Sequence, residues 1–289
     1  MISATLYSDP ACPWAYSESP ALRVLEWRYG DQLDWRLVVI GLAEDASRYE
    51  AIGYTPLRGA LGQMRFRRYG MPFSPAPKER MSATARACRA VVAARLAQSG
   101  SEWRVFRALQ LANFTTPLVL DDDAQLADVL RAVPGVDADA IVAKLDDPAV
   151  SEAYERDRAE ARTAAGTPSE LQGKTAASDG PVRYTAPSVV FASNGHRLEA
   201  GGFQPVEAYD VLVANLEPGI DRKHVPDTPA PLLEHFPDGV TTQEVAALLA
   251  AGNDAPDRDA AERALLELVA AGEAERVPLG DDALWRRAA

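Results

Sequence analysis

The stretch Ser8-Asp9-Pro10-Ala11-Cys12-Pro13-Trp14-Ala15-Tyr16 carries the side chain best suited to covalent chemistry, the thiol of Cys12. Ile2 to Tyr7 reads as a buried strand, Asp9 and Pro10 mark a turn, and a helical pattern follows to about Tyr29. Cys12 therefore stands at a helix N-terminus. The unpaired amides and positive dipole end of a helix favour thiolate over thiol, so a depressed pKa and a nucleophilic sulfur are expected. Pro13 suits the first helical position, where no backbone N–H is needed. The competing reading is a small core residue, as free cysteines often are.

No base accompanies this thiol in the local sequence. His196, His224 and His235 lie late in the chain, so no Ser-His-Asp arrangement can be argued for Ser8 or Ser17. Cys and His are too scattered for a metal site. Asp9 either adjusts the thiol or shapes the turn. Trp14 either walls a groove beside Cys12 or packs into the first helix. Cys88 falls in an alanine-rich helix, where a small thiol packs easily; it becomes a resolving thiol only if that helix folds over the site.

The elements that must position these residues alternate and then change character. Leu33 to Leu42 reads as a second buried strand, making a βαβ unit with parallel strands. From about Glu44 to Ala165 the pattern is mainly helical, with helices over Ser82–Gln98, Ser101–Asn113, Asp121–Ala132, Asp137–Leu145 and Pro148–Ala165. Gly166 to Gly180 reads as a loop. Strands return at Ser188–Ala192 and His196–Ala200 around an Asn194-Gly195 turn, and a helix closes the unit from about Pro205 to Leu216. The expectation is an α/β sheet domain split between 1–44 and 166–217 by a helical insertion at 45–165. A linker over 218–231 holds Pro226, Pro229 and Pro231. Within 232–289, Thr241-Thr242-Gln243-Glu244 starts one helix, Ala260–Ala271 is a second, and Glu273–Leu279 with Ala283–Arg287 forms a hairpin. Two helices followed by a hairpin resemble a winged-helix module.

The strand, the Cys-Pro-Trp turn and the helix behind it resemble the active-site opening of the DsbA-like branch of the thioredoxin-like superfamily. Thr185-Ala186-Pro187-Ser188, ahead of the third strand, resembles the cis-proline loop of that fold. The resemblance spans Met1 to about Leu216 and implies a thiol site. Cys12 would be catalytic, with Pro13, Trp14, Ala186 and Pro187 binding substrate and Cys88 a candidate resolving thiol. It departs from the family at Ala15, where a Cys-x-x-Cys motif has its second cysteine, so the ordinary dithiol cycle is unavailable next to Cys12. Tyr69-Gly70-Met71-Pro72-Phe73 also resembles a segment of kappa-class glutathione transferases and 2-hydroxychromene-2-carboxylate isomerases, which commonly carry serine at the Cys12 position.

Composition narrows the partners. At 289 residues, with 47% hydrophobic and 25% charged residues, the chain has ample core for a globular protein. The N-terminus lacks a basic region and a long apolar run, no stretch suits a membrane span, and two cysteines make no disulfide framework, so a cytoplasmic protein is expected. A net charge of −12 argues against nucleic acid. The charge is uneven. Between Ala51 and Gly100 nine basic residues face one acid, whereas from Asp221 onward 14 acids outnumber seven bases. The basic stretch favours an anionic ligand or a docking surface, or is a solvated face; the acidic end suits a protein contact or a cover for the core. The leading expectation is a DsbA-like thiol-disulfide oxidoreductase working through Cys12 alone, by mixed disulfide with a protein or small thiol. No covalently bound cofactor and no metal are expected, only a low-molecular-weight thiol. The alternatives are a kappa-like thiol-dependent transferase or isomerase, and a non-catalytic scaffold that binds a peptide or protein.

Overall fold

The computed structural model describes residues 1–178, 180–252 and 254–288. Asp179, within the loop expected over 166–180, lies outside the described residues, as do Asn253 and Ala289. The chain opens with β1 (Ile2–Ser8), α1 (Pro13–Ser17), α2 (Ser19–Tyr29) and β2 (Leu33–Val39). Strands β1 and β2 pair in parallel, from Ile2 opposite Leu33 to Ser8 opposite Val39, as a βαβ crossover requires. Alternation sends β1 and β2 side chains into two different cores. Ile2, Ala4, Leu6, Leu37 and Val39 face one, while Tyr7 and Val38 face the other.

The single helix expected to run from the Cys12 turn to Tyr29 is two helices. Glu18 separates them, and Pro20 in the first turn of α2 supplies the reason. Proline has no N–H to donate to Tyr16, and its ring crowds that carbonyl, so α1 cannot continue.

Eight helices then precede the next strand among the described residues. They are α3 (Ser47–Ala51), α4 (Pro56–Phe66), α5 (Ala85–Ala97), α6 (Ser101–Thr115), α7 (Asp123–Arg131), α8 (Ala138–Val142), α9 (Pro148–Ala161) and α10 (Pro168–Leu171). Helix α5 is central. Ala87, Cys88 and every residue from Ala90 to Ala94 are buried on it, because small side chains let neighbouring elements approach from all sides. The segment expected as a loop over 166–180 holds α10 and β3 (Thr175–Ala176), which pairs with β4 (Arg183–Tyr184). Strands β5 (Ser188–Ser193) and β6 (His196–Gly201) complete a four-stranded sheet in the order β2-β1-β5-β6, with α11 (Val206–Leu216) packed against β5 and β6.

The last part of the chain has its own core. It comprises α12 (Ala230–His235), β7 (Val240–Thr241), α13 (Thr242–Leu249), α14 (Arg258–Ala270), β8 (Ala274–Leu279) and β9 (Asp282–Arg287). The three strands pair in the order β7-β9-β8. Thr241 caps α13 in a reciprocal capping box with Glu244, as the Thr-Thr-Gln-Glu run predicts. Leu232, Val245, Leu265 and Trp285 close this core together with Val24 and Trp27 of α2, so the C-terminal part is packed onto the first crossover helix. The segment before it follows α2: the Lys223 amide donates to the Arg28 carbonyl at 2.9 Å, and Trp27 Nε1 donates to the His224 carbonyl at 2.9 Å. No helix among the described residues is long and apolar enough to cross a membrane.

Candidate active site

Strand β1 delivers Asp9 and Cys12 to one end of the sheet. The Cys12 amide donates to the Asp9 carbonyl at 3.1 Å, closing the turn, and Pro13 takes the first helical position of α1 with Cys12 as its N-cap. Across the sheet, β5 begins just after Pro187, and the Ala186–Pro187 peptide bond is cis, as expected. The loop before it is pinned by its own side chains. Ser188 Oγ donates to the Thr185 carbonyl at 2.8 Å, and Thr185 Oγ1 donates to the Lys174 carbonyl at 2.9 Å. These two ends, 174 residues apart, meet where Cys12 Sγ donates to the Ala186 carbonyl at 3.1 Å.

Asp9 organises the other side of the turn. Its Oδ1 accepts from the Ala11 amide at 2.8 Å and its Oδ2 from the Leu42 amide at 2.9 Å, so it ties the ends of β1 and β2 together. Cys88 Sγ, reaching in from α5, donates to the same Oδ2 at 3.6 Å. Both cysteines are free and buried. Cys88 is thus brought to the site, with its thiol directed to Asp9.

The electrostatics reverse the expectation for Cys12. With 6% of its surface exposed, its thiol is pushed up to about 12, chiefly by burial. Backbone hydrogen bonds from Ala15 and Trp14 pull the other way, as does the Arg183 charge, while the Asp9 charge adds to the rise. The amides at the start of α1 do favour the thiolate, but desolvation outweighs them. Burial likewise raises Asp9, against the hydrogen bonds it accepts, and drives Cys88 well above the usual thiol range. Cys12 therefore rests as a thiol bound to a carbonyl.

Aromatic side chains form the rim. Trp14 is 41% exposed and packs edge-on against Phe66 at 4.9 Å between ring centroids, with Phe203 at 5.6 Å and Tyr69 at 5.7 Å. It thereby joins α4, the Tyr69–Phe73 segment and the β6–α11 loop. Tyr16 faces inward instead. Its hydroxyl donates to the Pro72 carbonyl at 2.8 Å and its ring stacks on Phe114, which anchors the Tyr69–Phe73 segment beside α1.

Cys12, Pro13, Ala186 and Pro187 are thus brought together, with Trp14 beside them at the surface. Sequence reasoning missed Tyr49 and Arg183. Tyr49 on α3 is raised by burial and by the charges of Asp9, Cys12 and Cys88, which puts its phenol in the same electrostatic neighbourhood. Arg183 is buried on β4, where one guanidinium nitrogen donates to the Tyr184 carbonyl at 3.0 Å. The only sequence signal for Arg183 was its closeness to the Thr185–Ser188 loop; nothing local marked Tyr49.

A family model described as a DSBA-like thioredoxin domain matches residues 5–183. Among solved structures, a probable DsbA oxidoreductase from Streptomyces coelicolor is 16% identical, with a TM-score of 0.55, covering 78% of this chain and 94% of that one. The cytosolic disulfide reductase DsbM from Pseudomonas aeruginosa is 17% identical, with a TM-score of 0.52, covering 75% of this chain and all of the other. The same reductase with GSH matches at 18% identity and a TM-score of 0.52, covering 74% of this chain and 98% of that one. At these identities the likeness is one of fold. No curated protein matches the sequence.

Proposed function

This chain belongs to the DSBA-like thioredoxin domain family, and from that premise we propose that it exchanges disulfides through Cys12 alone. The observation that carries the reading is the contact of Cys12 Sγ with the Ala186 carbonyl at 3.1 Å, which holds a thiol against the backbone of the loop before β5. A bound disulfide draws Cys12 away from that carbonyl. The Cys12 sulfur then bonds to the nearer substrate sulfur, the substrate S–S bond breaks, and the departing sulfur takes the proton that Cys12 gives up. A low-molecular-weight thiol next attacks the mixed disulfide, carries the substrate fragment away in a new disulfide, and returns the proton to Cys12. Pro13, Trp14 and the Ala186-Pro187 backbone position the partner. Release falls to the external thiol because Cys88 is engaged with Asp9.

The test is mass spectrometry of the full chain after incubation with oxidised glutathione. One glutathionyl adduct is expected on Cys12, absent in Cys12→Ser, kept in Cys88→Ser, and removed by added thiol. No adduct on Cys12, or an adduct on Cys88 alone, overturns the proposal.

A second reading has its own support in the raised thiol pKa. In a kappa-like transferase or isomerase, a protonated Cys12 donates its S–H to the sulfur of a bound thiol, and the basic stretch after Ala51 holds that ligand's anionic groups. Activity with a thiol and an electrophile, without disulfide exchange, distinguishes it. A scaffold reading requires a Cys12 that takes part in neither reaction.

In this proposal the sheet domain comprises 1–44 and 166–217, the helical insertion 45–165, and 218–231 a linker. The order α13, α14, β8, β9 supports a winged-helix-like module at 232–289. Its packing on α2 through Val24 and Trp27 favours a core-covering role, with protein contact left to its outer face. A cytoplasmic setting suits a chain whose two cysteines are both unpaired.

A further inference from the structure

We propose that a cavity sharing no residue with the Cys12 site binds a small aromatic carboxylate. It has a volume of about 320 Å³ and lies between α2, the sheet and α6, with Asp238 of the C-terminal part at its edge. That is within the usual size range of small-molecule sites. Leu6 and Leu22 contribute apolar surface, while Trp35 and Trp103 provide flat aromatic walls.

The polar groups inside select the ligand. Arg107 and Gln110, three residues apart on α6, both line the cavity. Four hydrogen bonds from the two terminal nitrogens of Arg107 go to Ser19, Gly239 and both oxygens of Glu244, yet its buried Nε makes none among the described residues. Gln110, 6% exposed, has a buried Nε2 with no partner among the described residues. A buried donor left without an acceptor is costly, and protein interiors satisfy nearly all of them. Arginine can only donate, so the missing partner is an acceptor. A carboxylate presents two acceptor oxygens to two donors, and an aromatic body fits the tryptophan walls. Formal charge is balanced around the cavity: Glu26 pairs with Arg23 at 2.6 Å, Arg107 with Glu244 at 2.7 Å, and Arg104, which bonds the Pro134 carbonyl, is countered in sign by Asp238. The two unpaired buried donors therefore carry the choice of a carboxylate.

Calorimetric titration of the full chain with 2-naphthoate tests the site, with naphthalene-2-methanol as the uncharged comparison. One saturable site for naphthoate is expected, at least tenfold tighter than for the alcohol. Gln110→Leu is expected to weaken naphthoate at least tenfold, and Cys12→Ser to bind it as the parent does. Where Gln110→Leu fails to fold, Trp103→Ala replaces it and is expected to give the same loss by removing one wall. No saturable binding, equal affinity for acid and alcohol, or unchanged affinity in the folded variant overturns the proposal.

Discussion

Asp9 and Glu244 are both fully buried carboxyl groups, and their surroundings drive them in opposite directions. Asp9 receives two backbone amides and a thiol, and burial raises it above the ordinary carboxyl value. Glu244 is gripped by both terminal nitrogens of Arg107, each at 2.7 Å, and is held down at about 2 despite the same burial. Neutral donors moderate desolvation, whereas a bidentate guanidinium overrides it. The thiol site is thus built to keep protons. The junction of α2, α6 and α13 is built to keep charge, and it fastens the C-terminal part to the rest of the chain.

The largest effect is expected where charge is kept. Arg107→Leu leaves Glu244 buried without its cation and should cost about 3–5 kcal/mol, read as a fall in unfolding free energy in urea. The double variant Arg107→Leu/Glu244→Leu should lie closer to the parent than the single variant does, because an apolar pair needs no compensation. A single variant within about 1 kcal/mol of the parent would erase the contrast between the two regions.

Acidity separates the regions by sign. The folded Glu244 value of about 2 lies below its ordinary 4.5, so its stabilisation is full above 4.5 and is lost as pH falls towards 2. Asp9 lies above its ordinary 3.8, so its contribution is full below that value and is lost as pH rises through its folded pKa. Urea midpoints measured across acid and neutral pH should therefore show Glu244→Gln abolishing the loss on the acid side. Asp9→Asn should abolish the loss on the rising side; identical profiles for both variants would contradict the assignment.

A smaller effect belongs to the thiol. Because the Asp9 charge adds to the rise in Cys12, Asp9→Asn should lower the alkylation midpoint of Cys12. About one pH unit gives a rate about tenfold higher at a fixed pH below the midpoint. In the parent the midpoint should lie well above the free-cysteine value of about 8.5. A midpoint below it would restore the helix-dipole argument drawn from the sequence.

The low thiol pKa expected at a helix start is overridden in Cys12 by burial. A strand, Cys12, Pro13 and a helix start are local features, so they could be read directly, as could Pro187 before β5. Desolvation of the thiol comes from the buried cluster that holds Tyr7, Ile40, Ala164, Tyr184 and Ala186 with Cys12, which only the tertiary fold assembles. The same distinction explains the elements. The apolar runs of β1, β2 and β5 were legible, whereas α4 carries Gly59 and Gly62 and leaves Leu57, Leu61 and Met64 exposed, so its pattern did not point to a core-facing helix. The two-residue strands β3 and β4 are too short to leave a period. Pro20 was readable as a break, but the helical pattern around it concealed the consequence.

The smallest effect is expected at Cys88, and it decides whether the thiol site is one cysteine or two. Its S–H is a weak donor, 3.6 Å from an Asp9 oxygen that already accepts the Leu42 amide at 2.9 Å. Cys88→Ala therefore removes little from Asp9 and should cost about 1 kcal/mol, mostly lost packing in α5. It should leave the Cys12 alkylation rate within about twofold, since the burial of Cys12, the chief cause of its raised pKa, is unchanged. If Cys88 instead resolves Cys12, mild oxidation of the parent should join the two in an internal disulfide that Cys88→Ala cannot form. Recovery of that disulfide by mass spectrometry would require α5 and the Cys12 turn to close around Asp9, and would move the release step from an external thiol to Cys88.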